Sequence, residues 1–140
     1  MNKVIGPIWY NDSMLFVSNF HEKTNRGKLN LKIDFSYKEE NYTLPFCSDT
    51  VSIAHPAYDA VNQRLYFVVK PTIGNSDIYY ADYRNGKWGS AQKLGETINT
   101  LGNEMFPYIH GDFLYFASDG LPGIGGMDLF EINIANLATG

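Results

Sequence analysis

Leu65-Tyr66-Phe67-Val68-Val69 and Leu114-Tyr115-Phe116-Ala117-Ser118 carry one pattern, and Met14-Leu15-Phe16-Val17-Ser18 is a third version of it. Each run is too short for a helix and rich in strand-favouring residues, so each reads as a β-strand buried on both faces. A proline-led segment stands before every one: Pro7-Ile8-Trp9, Pro56-Ala57-Tyr58 and Pro107-Tyr108-Ile109. A further segment follows each: Lys28 to Ile33, Asp77 to Ala81 and Asp128 to Ile132. Pro7 to Pro56 is 49 residues and Pro56 to Pro107 is 51, while Phe16 to Lys28 and Phe116 to Asp128 are both 12. Pattern and spacing together define a period of about 50 residues, with units of approximately 5–53, 54–104 and 105–140 in one segment.

Working outward, each unit reads as an antiparallel set of strands. The proline is expected to open a short first strand, where its missing N–H does least damage. Polar tips separate the first two strands: Tyr10 to Ser13, Asp59 to Gln63, and His110 to Asp112. Longer loops follow the second strand at His21 to Gly27, Pro71 to Ser76 and Asp119 to Gly126. Asn85-Gly86 is a type I′ hairpin signal leading to a fourth strand, since both residues tolerate positive φ. The first unit is expected to place its fourth strand around Tyr42 to Phe46, with Pro45 at an edge. After Ile134 only Ala135 to Gly140 remain, so the third unit shows no fourth strand. The expectation is an all-β chain of about eleven strands, two full β-propeller blades and one incomplete. Closed propellers need four to eight blades. The chain therefore reads as a partial propeller or as half of a six-bladed ring, closed by a second copy.

Composition narrows the function classes. With 11 basic against 15 acidic residues the net charge is −4, and no Lys/Arg run exists, so nucleic acid is a poor partner. No apolar stretch approaches the roughly 20 residues of a membrane-spanning helix, and the start has no apolar core of a signal peptide. One cysteine, Cys47, permits neither an internal disulfide nor a cysteine metal cluster. It reads as a small packed residue. No nucleophile elbow, zinc-helix motif or phosphate loop occurs, and Gly123-Ile124-Gly125-Gly126 precedes a strand where a phosphate site needs a helix. The expectation is no enzyme, no catalytic residues, no cofactor and no metal.

Some residues carry two readings. Asp77 and Asp128 either accept backbone N–H bonds and lock their loops, or Asp128 joins Asp119 and loop carbonyls around a cation. Trp9, Tyr58 and Ile109, each two residues after the proline, either wedge between sheets or line a sugar-binding face. Trp88 reads as an outer-strand packing residue. Glu39, Glu40 and Glu104 are the spare carboxylates for glycan chemistry, and none pairs. His21, His55 and His110 stand in non-equivalent places without a motif partner, and His55 and His110 read as turn or surface residues.

The segments Asn85 to Trp88, Leu94 to Thr100, Asn103 to Pro107, Leu114 to Gly120 and Gly123 to Phe130 resemble TolB-type (WD40-like) propeller repeats. The nearer resemblance is to the longer variant in OmpA-family envelope proteins of Gram-negative bacteria. The first unit departs, with Lys28 where the others have Asp77 and Asp128. The resemblance implies a non-enzymatic protein-interaction scaffold in the periplasm or cell envelope. Its partners would be other envelope proteins or further blades, engaged through loops at one propeller face. The alternatives are a glycan-binding or glycan-processing propeller and an accessory propeller domain of a peptidase.

Overall fold

The computed structural model describes residues 4–10, 13–18 and 30–137. They form an all-β chain whose only helical element is a single 3-10 turn, Ile134–Asn136. Among the described residues no helix is long and apolar enough to cross a membrane. The strands fall into three successive antiparallel sheets. The first has the order β1 (Val4–Tyr10), β2 (Ser13–Ser18), β3 (Lys32–Tyr37) and β4 (Glu40–Thr43). The second runs β5 (Val51–Asp59), β6 (Arg64–Pro71), β7 (Asp77–Arg84) and β8 (Lys87–Trp88), with β9 (Gln92–Lys93) also on β7. The third is β10 (Glu104–His110), β11 (Phe113–Ser118) and β12 (Asp128–Asn133).

Three local expectations need correction. The prolines do not open their strands. They sit in the middle of β1, β5 and β10, inside register shifts between Ile5 and Ile8, Ala54 and Ala57, and Met105 and Tyr108. A bulge leaves backbone groups out of the ladder, so a residue without an N–H loses no bond there. The fourth strand of the first sheet is Glu40–Thr43, and Pro45-Phe46 form the turn after it. Lys28 lies outside the described residues. Register instead puts Lys32 opposite Ser18, the place that Asp77 takes opposite Val69 and Asp128 opposite Ser118. The second sheet fills its outer side with two short strands, which brings the number among the described residues to twelve.

The hairpin expectation at Asn85-Gly86 holds, with φ of 51° and 75°. Positive φ at both central residues matches the right-handed twist of the flanking strands.

Two apolar clusters stack the sheets. Val17 and Ile33 of the first sheet share one with Leu65, Phe67 and Ala81 of the second. The opposite face of the second sheet, with Tyr66, Val68, Ile78 and Tyr80, packs against Leu114 and Phe116 of the third. Leu65, Tyr66 and Phe67 are fully buried, as a strand covered on both faces requires. Trp88 closes the outer part of the first cluster against Tyr83 and Phe46.

An ion pair recurs with its signs exchanged. Lys32 at the start of β3 meets Asp49 at 2.5 Å, and Asp77 at the start of β7 meets Lys93 at 2.9 Å. Arg64 holds Asp82 in a bidentate pair at 2.7 and 3.0 Å and lies 3.9 Å above the Tyr80 ring. That guanidinium keeps the Asp82 carboxyl below its ordinary range.

Candidate interaction rim

One rim of the second and third sheets is made by loops 72–76, 99–103 and 119–127. The backbone there is tied from loop to loop. The Ser76 N–H and hydroxyl donate to Asn103 Oδ1 at 3.1 and 3.3 Å, and the Glu104 N–H donates to the Ser76 carbonyl at 2.8 Å. Asn103 in turn donates its N–H and side-chain amide to the two Asp119 oxygens at 2.6 and 3.1 Å. These donors hold the Asp119 carboxyl below its usual value. The Asn75 amide donates to the Leu101 carbonyl.

Glu104 is not a spare carboxylate. It is fully buried and accepts from the Thr100 N–H and hydroxyl at 3.1 and 2.7 Å and from the Ser118 hydroxyl at 2.7 Å. A buried carboxylate is tolerable only when hydrogen-bonded in this way. Gly102 and Gly120 let the loops touch, since a Cβ on Gly102 would lie 2.6 Å from the Gly120 nitrogen.

On this fixed backbone three aliphatic side chains stand in solvent: Ile73 at 91%, Leu101 at 97% and Ile124 at 99% exposed. Single exposed apolar residues are ordinary, but three on one tied rim form a surface that water solvates poorly. Ile124 is presented by its own N–H, which donates to Asp128 Oδ2 at 2.9 Å, and by the positive φ of Gly125 and Gly126. The sequence signal was present in Pro71-Thr72-Ile73-Gly74 and Pro122-Gly123-Ile124-Gly125, a lone isoleucine inside each breaker-rich loop. The His21 to Gly27 loop lies outside the described residues.

The remaining candidates are dispersed. Asp128 locks its loop, whereas Asp77 answers Lys93 instead of loop N–H groups. Among the described residues no three His, Cys, Asp or Glu side chains group as metal ligands. Tyr58 and Ile109 are half-buried against the two apolar clusters, between sheets; the side chain of Trp9 is outside the described set. His55 is half-buried in mid-strand, while His110 is exposed at a strand end, where the β10–β11 turn begins. Glu39 and Glu40 are exposed where β3 turns into β4. Cys47 is half-buried against the Ile33 carbonyl, and burial pushes its thiol up to about 11. No family model, curated protein or solved structure matches the chain.

Proposed function

We propose that the three sheets are successive β-propeller blades of a non-enzymatic scaffold of the cell envelope. A protein partner docks on the rim that carries Ile73, Leu101 and Ile124. The observation that supports this reading is the combination of nearly full exposure of all three side chains with a hydrogen-bonded backbone beneath them. A pre-ordered surface loses little entropy on binding, and apolar anchors supply the contact energy. The resemblance to envelope propeller repeats supplies the compartment and the class of partner.

The test is a photo-reactive side chain placed in turn at Ile73, Leu101 and Ile124 in living cells. Val61 serves as the control, because it is equally exposed, at 91%, on the opposite rim in the β5–β6 turn. The reading expects one discrete protein adduct shared by the three rim positions and absent at Val61. Adducts equal at all four positions, or none at the rim, contradict it.

A further inference from the structure

Among the described residues the third sheet lacks something that the other two possess. In the first sheet Thr43 pairs with Asp34, and the next residue, Leu44, donates its N–H to the Ile33 carbonyl at 3.0 Å. In the second sheet Lys93 pairs with Tyr79, and the next residue, Leu94, donates to the Ile78 carbonyl at 3.1 Å. Both leucines are buried, at 1% and 3% exposure, over fully buried Ile33 and Ile78. Register makes Leu129 the counterpart of these two isoleucines, since it lies opposite Ala117 as Ile33 lies opposite Val17 and Ile78 opposite Val68. Leu129 is 81% exposed, and among the described residues β12 has a neighbour strand on one side only. The edge carries charge only at Asp128 and at exposed Glu131 and lacks the other usual protections. It contains no proline, no lysine and no bulge, and its register with β11 is unbroken over six residue pairs.

We propose that this edge of β12 accepts an extended segment of a partner protein, antiparallel to β12. A polar residue of that segment lies opposite Phe130, and the leucine after it bonds the Leu129 carbonyl and covers the Leu129 side chain. The chemistry of the occupant is stated twice within the chain, by Thr43-Leu44 and by Lys93-Leu94. The second is the richer template, because Asn99 also secures the start of β7 by accepting from the Ile78 N–H and donating to the Ile78 carbonyl. Strand addition of this kind draws its affinity from main-chain bonds and its selectivity from alternate side chains. It is independent of the rim that bears Ile73 and Ile124.

The probe is a labelled synthetic peptide with the sequence of residues 90–100, titrated against the whole chain by fluorescence anisotropy. Saturable binding is expected, weakened at least tenfold by a Leu94→Asp change in the peptide. Backbone groups of a strand point alternately to its two sides, so the Glu131 N–H faces the open edge, as Leu129 does. Glu131→Pro in the protein therefore blocks binding without breaking the β11 ladder, and Glu131→Ala leaves binding intact. Amide shift mapping supplies a readout that needs no substitution, with changes expected at Leu129, Glu131 and Asn133. Absence of peptide binding overturns the proposal. So do shifts confined elsewhere, equal binding by the proline variant, or a stable dimer of the chain that occupies the edge and excludes the peptide.

Discussion

His55 and Phe106 stack ring on ring between the second and third sheets, with centroids 4.4 Å apart and planes 26° from parallel. Both residues precede the proline of their strand, and both hold positive φ, 51° and 54°. Such a conformation is costly for a residue with a Cβ and needs support from its surroundings. The stacked pair supplies part of that support. The first sheet has Gly6 before its proline, a residue that carries no such cost.

Phe106→Gly is accordingly expected to destabilise the chain less than Phe106→Ala. Both lose the ring contact, worth about 0.5–1.5 kcal/mol. Only alanine keeps the strain of a left-handed backbone, roughly 1 kcal/mol. Chemical denaturation of the two variants checks this, and the ordinary order, alanine above glycine, would contradict it.

The same pair makes stability pH-dependent. Burial holds the His55 imidazole below its ordinary value, and its Nδ1 is buried without a partner. Between the unfolded pKa of about 6.5 and the lower folded one, the unfolded chain binds the extra proton. The His55 contribution is therefore complete above about pH 6.5 and is lost as pH falls through that window. His55→Phe keeps a ring to stack and is expected to flatten the profile of unfolding free energy there. An unchanged slope between neutral and mildly acidic pH would remove the claim.

Cys47 is expected to resist alkylation. With the thiol pushed up to about 11, its thiolate fraction near pH 8 is on the order of a hundredfold below that of a free cysteine. Native protein should react with iodoacetamide slower by that factor than denatured protein. Comparable rates would place the sulfur in solvent.

Asn99 bridges the second sheet to its outer connection. Its side chain accepts from the Ile78 N–H at 2.7 Å and donates to the carbonyls of Ile78 and Leu94, both at 2.8 Å. Asn99→Ala leaves a buried N–H unpaired and is expected to cost about 2–4 kcal/mol. Asn99→Asp keeps the acceptor but loses both donors and should be no milder. A melting temperature unchanged in either variant would show that the bridge carries no weight.

The strands were legible because Leu-Tyr-Phe runs and an Asn-Gly turn act locally. Strand propensity and positive φ at Asn85 and Gly86 need no tertiary partner. The prolines misled because a bulge belongs to a pair of strands, and nothing in Pro56 or Pro107 alone reveals which groups its neighbour strand leaves unpaired. Lys28 was misplaced for a related reason. Loop length varies freely at small entropic cost, so counting residues from Phe16 cannot find a register that cross-strand packing sets. Glu104 looked spare because its partners Thr100 and Ser118 meet it only after the loops fold together. The exposed Ile73, Leu101 and Ile124 were hidden in the same way, since sequence alone does not say which aliphatic residues stay outside a core.

The three sheets are built to one register, and among the described residues the third is open along β12. Amide hydrogen exchange tests that most directly. The Tyr80 N–H, whose residue pairs with Gln92, and the Phe130 N–H, turned toward β11, are predicted to be protected. The Glu131 N–H, at the place corresponding to Tyr80, is predicted to exchange as an exposed edge amide. Glu131 protected to the level of Tyr80 would show the edge already filled and contradict the account.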